Sequence, residues 1–203
     1  PDVWRLTVKG LVKEELTLNL KDLQQLEAVT LTAVLQCSGN GRAHHRPKVP
    51  GVQWERGAVG NAQWTGVRLR DVLQRAGVKP QGVHVRLQGA DRPALAIVPL
   101  FTRSIPLAYE MNGRPLPLLH GAPLRVITPG WMAESCMKWL TEITVRSDET
   151  PGYYMQQAYR IPETAVRLSS GLPGSAMVPV EQMPVKSLIA APAEGDTVRI
   201  GPV

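Results

Sequence analysis

Proline and glycine, eighteen of each in 203 residues, constrain this chain more than any other feature of its sequence. Proline lacks the backbone donor that a helix interior needs, and glycine releases the chain into turn conformations. Spread along the whole length, they predict short strands joined by tight turns, with room for short helices only. The apolar share of 43% is ordinary for a globular chain, and the length suffices for one full domain and part of another. The longest apolar run, Leu95 to Phe101, is interrupted by Pro99 and is too short to cross a bilayer, so no membrane span is expected. Two cysteines, Cys37 and Cys136, cannot build a disulfide framework, so stability must come from a packed core.

The net charge of +6 fits either a dispersed basic surface or a site for an anionic cofactor or substrate. Nucleic acid is disfavoured, because there is no Lys/Arg run and no RNA-binding aromatic signature. The chain opens at Pro1 with neither Met nor a signal-like segment. If an export leader has been removed, a periplasmic location is favoured.

Residues 4–8 alternate like a strand, as do Leu16 to Leu20, after which Asn19 or Leu20 leads into a short helix carrying Leu23 and Leu26. Val29 to Leu35 is rich in strand formers and runs into Gln36-Cys37-Ser-Gly-Asn-Gly-Arg42, which puts Cys37 where a strand breaks into a loop. Leu69, Val72, Leu73 and Ala76 have the spacing of one helix face, and Gly77 supplies the stop. Val83, Val85 and Leu87 alternate with His84 and Arg86, predicting a strand with the valines and leucine inward. Two more strands are expected at Leu124–Ile127 and Trp139–Val145. Ser169 to Ser175 reads as a flexible loop, after which Val178-Pro-Val180, Pro184 to Ile189, a Gly195-Asp196 turn, and Val198 with Ile200 look like the opening of a second β domain. The residues left there are too few for an independent core.

Familiar nucleotide, zinc and serine-hydrolase motifs are absent, and Gly39-Asn40-Gly41 lacks the third glycine of a dinucleotide fingerprint. His44 and His45 read as surface histidines. Taken alone, a cysteine ending an apolar strand is commonly a buried core residue. Around Cys37, however, the Ser38 to Gly41 loop lets backbone approach a bulky ligand, and Arg42 offers a guanidinium fork for an oxyanion. A soft thiolate beside cationic groups suits a transition metal.

Leu35-Gln-Cys-Ser-Gly-Asn-Gly-Arg42 resembles the molybdenum-binding cysteine loop of the sulfite oxidase family. The likeness continues through Gly51-Val-Gln-Trp54, Gly57 to Leu73, Ala108 to Pro117, His120 to Arg125, Lys138-Trp-Leu140 and Tyr159-Arg160. Met183 to Pro192 resembles the opening of that family's C-terminal dimerisation domain. By this resemblance Cys37 ligates molybdenum, while Arg42, Trp54 and Tyr159 line the substrate pocket. His120, Arg125 and Lys138 hold the anionic pterin, and Asp91 hydrogen-bonds it. Without the resemblance, Arg125 would read as a surface strand residue and Lys138 as a solvated charge. The family pattern also includes an Arg-Asn-His segment ahead of the position of Pro1, a pocket arginine beyond Val203, and extra residues between Leu107 and Ala108.

The implied fold is α+β, a sulfite-oxidase-type molybdopterin-binding fold over 1–177 with mixed sheets and short helices. The start of a truncated β-sandwich dimerisation domain follows over 178–203. The implied cofactor is molybdenum-molybdopterin. The implied activity is oxidation of sulfite to sulfate, with electrons passing to an external one-electron acceptor such as a cytochrome, in a homodimer. A nitrate or sulfoxide reductase of the same fold, or a cofactor-binding protein without turnover, are the alternatives.

Overall fold

The computed structural model describes residues 3–91, 96–99, 105–148, 153–162, 177–180, 182–183, 195–198 and 201. In chain order the elements are strands β1 (Leu6–Gly10) and β2 (Leu16–Leu18), helix α1 (Leu20–Gln24), β3 (Ala28–Gln36), β4 (Val59–Arg68) and helix α2 (Leu69–Ala76). Then come β5 (His84–Gly89), β6 (Ala96–Pro99), β7 (Pro106–Met111), β8 (Arg114–Pro115), β9 (Arg125–Val126), β10 (Leu140–Arg146), β11 (Arg160–Pro162) and β12 (Met177–Pro179). Short 3-10 turns stand at Arg42–His44, Leu118–His120 and Ala133–Ser135.

The strands sort into two main sheets. One has the order β2-β1-β10-β5-β6, with β1 and β10 parallel and the other pairs antiparallel. The other is antiparallel, β3-β4-β7-β8, with β9 alongside β7. This is the expected α+β architecture of mixed pairing and short helices. The main core packs Leu6 and Val8 of β1, Val85 and Leu87 of β5 and Ile143 of β10 with α1, α2 and one face of the second sheet. Leu107 and Tyr109 belong to this core, whereas Ala108 between them packs with Trp64 and Ile127 in a smaller cluster. Strand β7 is therefore apolar on both faces, as alternation requires of a strand covered on both sides.

Local chemistry explains both helices. The Asn19 side chain accepts from Asp22 N at 3.0 Å while Asp22 Oδ2 accepts from Asn19 N at 2.8 Å, a reciprocal cap that starts α1 and ends β2 at Leu18. Gly77, left-handed at φ 68, stops α2, and Leu69, Val72, Leu73 and Ala76 form its buried face as their spacing predicts.

Several boundaries differ from expectation. Strand β1 begins at Leu6, and Trp4 instead donates its indole N–H to Leu140 O at 3.0 Å. Helix α1 stops at Gln24, leaving Leu26 to pack on the core from outside it. Val83 precedes β5 and is 39% exposed, although its amide still donates to Arg146 O. The strand expected at Leu124–Ile127 pairs only through Arg125–Val126, and β10 starts at Leu140 because Trp139 has φ 50. Leu107 and Ala108, where the family pattern holds extra residues, are consecutive and fully buried in mid-strand, each paired to both β4 and β9.

Met177–Pro179, at the expected domain boundary, pairs antiparallel with β11, and Met183 N donates to Gly130 O. Gly195 turns at φ 90 as expected. The expected loop at 169–175, the strand at 184–189 and Ile200 lie outside the described residues.

Candidate functional site

Backbone sets the place of Cys37 at the end of β3. Its amide donates to Ala58 O at 3.0 Å, its carbonyl accepts from Asn40 N at 2.9 Å, and Gly39 N points at its Sγ from 3.4 Å. Asn40 is buried, and its Oδ1 accepts from Ala58 N at 3.1 Å, so the loop is tied twice to the strand opposite. The thiol is half-buried and free.

The same loop carries Arg42. Its Nη1 donates to Val52 O at 3.0 Å, and its guanidinium lies between Gly39 and Gly51. A Cβ on Gly39 would come within 2.9 Å of the guanidinium carbon, and one on Gly51 would strike Nη1. These glycines therefore make the slot in which the fork rests, close to Cys37. Ala43 N donates to Trp54 O at 3.0 Å, which brings Trp54, 47% exposed, to the rim of this loop. His44 and His45 are exposed.

A second cluster forms where β9 and β10 meet the Leu118–His120 turn. Arg125 is 5% exposed, not a surface residue; it donates to His120 O at 2.9 Å and Cys136 O at 3.2 Å and stacks 4.9 Å from the Trp64 ring centroid. Its Nε is buried with no partner, and burial lowers its pKa. Lys138 Nζ donates to Leu119 O at 3.0 Å and sits 4.0 Å over the Trp139 ring. Trp139 holds its positive φ while its indole donates to Leu118 O at 2.8 Å, a strained backbone of the kind that collects at functional sites. A cleft of about 290 Å³ opens here, lined by Asp91, Glu134, Cys136, Lys138 and Trp139 among others. His120 contributes its carbonyl, and Arg125 lies beneath the cleft and not in its lining.

The two clusters share the second sheet. Trp64 of β4 touches Arg125 with its ring and donates its indole N–H to Ala33 O of β3 at 3.3 Å, on the strand that leads to Cys37. The structure places Tyr159 half-buried ahead of β11, its carbonyl accepting from Val180 N at 2.9 Å.

Sequence reasoning missed Glu134, whose carboxyl lines the cleft and is pushed up to about 7 by burial. It also gave no role to Trp64 or Trp139. Trp139 lies within the matched Lys138-Trp-Leu140 block and Trp64 within the matched Gly57 to Leu73 stretch.

Among the described residues no three His, Cys, Asp or Glu side chains gather as a self-contained metal site. A metal at Cys37 would need ligands from outside the protein, as a dithiolene-bearing pterin provides. The half-buried Cys37 sulfur, a soft ligand, and the partnerless Arg125 Nε and Glu134 Oε1 fit such a group.

Two sheets that carry a cysteine loop and a cation-bearing cleft define a cofactor-binding domain. The chain belongs to the sulfite oxidase family of molybdopterin-binding domains: the oxidoreductase molybdopterin binding domain matches residues 1–154. It is 34% identical to mitochondrial sulfite oxidase of Rattus norvegicus over 218 residues, covering 100% of this chain and 40% of that protein. It is 35% identical to the NAD(P)H nitrate reductase of Hordeum vulgare over 177 residues, covering 78% of this chain and 20% of that protein. The sulfane dehydrogenase SoxCD of Paracoccus pantotrophus superposes with a TM-score of 0.79 at 27% identity, over 94% of this chain and 48% of that one. The chain thus spans less than half the length of each.

Proposed function

We propose that this chain is the molybdenum-cofactor domain of an enzyme that oxidises sulfite to sulfate, with Cys37 as the protein ligand to the metal. The observation that carries this reading is the Arg42 guanidinium seated in the glycine slot of the Cys37 loop. When bound, the cofactor supplies oxygen-atom transfer and accepts the two electrons that sulfite loses as water provides the new oxygen and releases two protons. The electrons leave singly to an external acceptor such as a cytochrome.

The chain's own residues bind and orient. One Arg42 N–H is held by Val52 O, which fixes the fork and leaves its other donors for a doubly charged oxyanion. Trp54 at the rim and Tyr159 complete the substrate side. Asp91 and Lys138 in the cleft lining, with His120 and the buried Arg125 supporting that wall, hold the pterin. Beyond Met183 the chain begins the β domain through which the native protein dimerises.

Steady-state assays of the full-length protein with sulfite, nitrate and a neutral sulfoxide test the reading. Sulfite is expected to be turned over with a one-electron acceptor. Arg42→Gln is expected to raise the KM for sulfite by roughly tenfold to a hundredfold, the equivalent of one charged hydrogen bond of ~1.5–3 kcal/mol. Reduction of nitrate or sulfoxide without any sulfite oxidation reassigns the substrate and leaves the cofactor assignment standing.

A further inference from the structure

The cleft beside Lys138 is lined by Glu134, one of whose carboxyl oxygens the fold leaves without a partner. Glu134 sits in the Ala133–Ser135 turn, which is closed by backbone bonds from Ser135 N to Met132 O at 3.1 Å and from Cys136 N to Ala133 O at 3.0 Å. Neither bond involves the Glu134 side chain. Its Oε1 is sealed from solvent and has no hydrogen-bond partner. Buried carboxyl oxygens are ordinarily matched to donors, and an unmatched one destabilises the fold. Burial raises the carboxyl to about 7 against the opposing pull of its own backbone amide. A turn that needed no carboxyl has kept one at the wall of a cavity.

We propose that Glu134 is a cofactor-binding residue whose carboxyl takes the donor edge of the pterin, accepting from its ring N–H and its exocyclic amine. The proposal rests on the family's cofactor being held in this cleft. Among the described residues, the charged side chains that line the cleft are Asp91, Glu134 and Lys138, two acids and one base, a set that favours a ligand edge carrying donors. Lys138 is also engaged by Leu119 O and the Trp139 ring, and Arg125 lies beneath. The remaining titratable neighbour, Cys136, has its thiol pushed up by burial and is hydrogen-bonded to Thr128, so it adds no charge. The pyrimidine edge of a pterin sets two N–H donors side by side, and a carboxylate offers two acceptor oxygens at matching separation. The cleft's volume of about 290 Å³ is at the lower end for small-ligand sites and suits one ring system better than a whole cofactor.

The test uses full-length protein made in a host that supplies the cofactor, as wild type, Glu134→Ala and Glu134→Gln. Pterin retained after prolonged dialysis is measured by fluorescence of the oxidatively released ring, and the melting temperature of the cofactor-free form is measured alongside. Both variants are expected to lose pterin on the order of tenfold faster than wild type, Gln because its amide turns a donor toward a donor. Cofactor-free Glu134→Ala is expected to melt no lower than wild type, because it loses an unmatched buried oxygen. Wild-type pterin retention in both variants, or a lower melting temperature for cofactor-free Glu134→Ala, overturns the proposal while leaving the family reading intact. Wild-type protein that carries no pterin overturns both.

Discussion

Apart from the long 3.4 Å bond from Gly39 N, Cys37 is held by groups that do not depend on its sulfur. The hydrogen bonds that place it run from its own amide to Ala58, from Asn40 to its carbonyl, and between the Asn40 side chain and Ala58. Cys37→Ser should therefore fold normally and keep much of its pterin, while the metal loses its protein sulfur. X-ray absorption is expected to show one fewer sulfur neighbour to molybdenum, and turnover is expected to vanish. An unchanged sulfur shell in that variant would rule the assignment out. The residues of this loop could be found in the sequence because their spacing is local: Cys37 and Arg42 lie on one tight turn, and the glycine at 39 that admits the guanidinium lies between them. Glu134 could not. A glutamate in a stretch with Ser135 and Met137 looks like a surface residue until the cleft closes around it.

At the scale of elements, short-range signals were the legible ones. Helix α2 follows from its apolar spacing and Gly77, and α1 from Asn19. The reciprocal cap at Asn19 and Asp22 shares no residue with the cleft lining, so its effect should be on stability alone. Asn19→Ala is expected to reduce unfolding free energy by about 1 kcal/mol, seen as a lower denaturant midpoint with unchanged pterin content. A midpoint equal to that of wild type would mean that packing of Leu23, not the cap, holds α1 in place. Strands β4 and β7 carry no comparable signal. β4 is exposed at its first residues and buried toward its end, and β7 is apolar on both faces, so neither shows a clean alternation of polar and apolar residues. Their character comes from the strands beside them.

For the whole molecule, the second sheet joins the two halves of the candidate site. Trp64, fully inside on β4, meets the Arg125 guanidinium on one side and the Ala33 carbonyl on the other. The segment from Met177 to Met183 still pairs with this body, through β11 and through Gly130. The dimer proposed above is built through the chain beyond Met183. Light scattering on the full-length protein is expected to give twice the monomer mass at micromolar concentration, and a strict monomer there removes the dimer proposal. By itself the sequence determined the scarcity of long helices, the start of α1, both ends of α2 and the Cys37–Arg42 loop, since each depends on residues a few positions apart. Only the tertiary structure decided that Arg125 is buried beneath a cleft, that Trp139 bends out of its strand, and that Glu134 lines the cavity with one carboxyl oxygen buried and unmatched. Those outcomes depend on contacts between residues far apart in the chain, such as Lys138 with Leu119 and Arg125 with Trp64, which come into being only when the sheets pack.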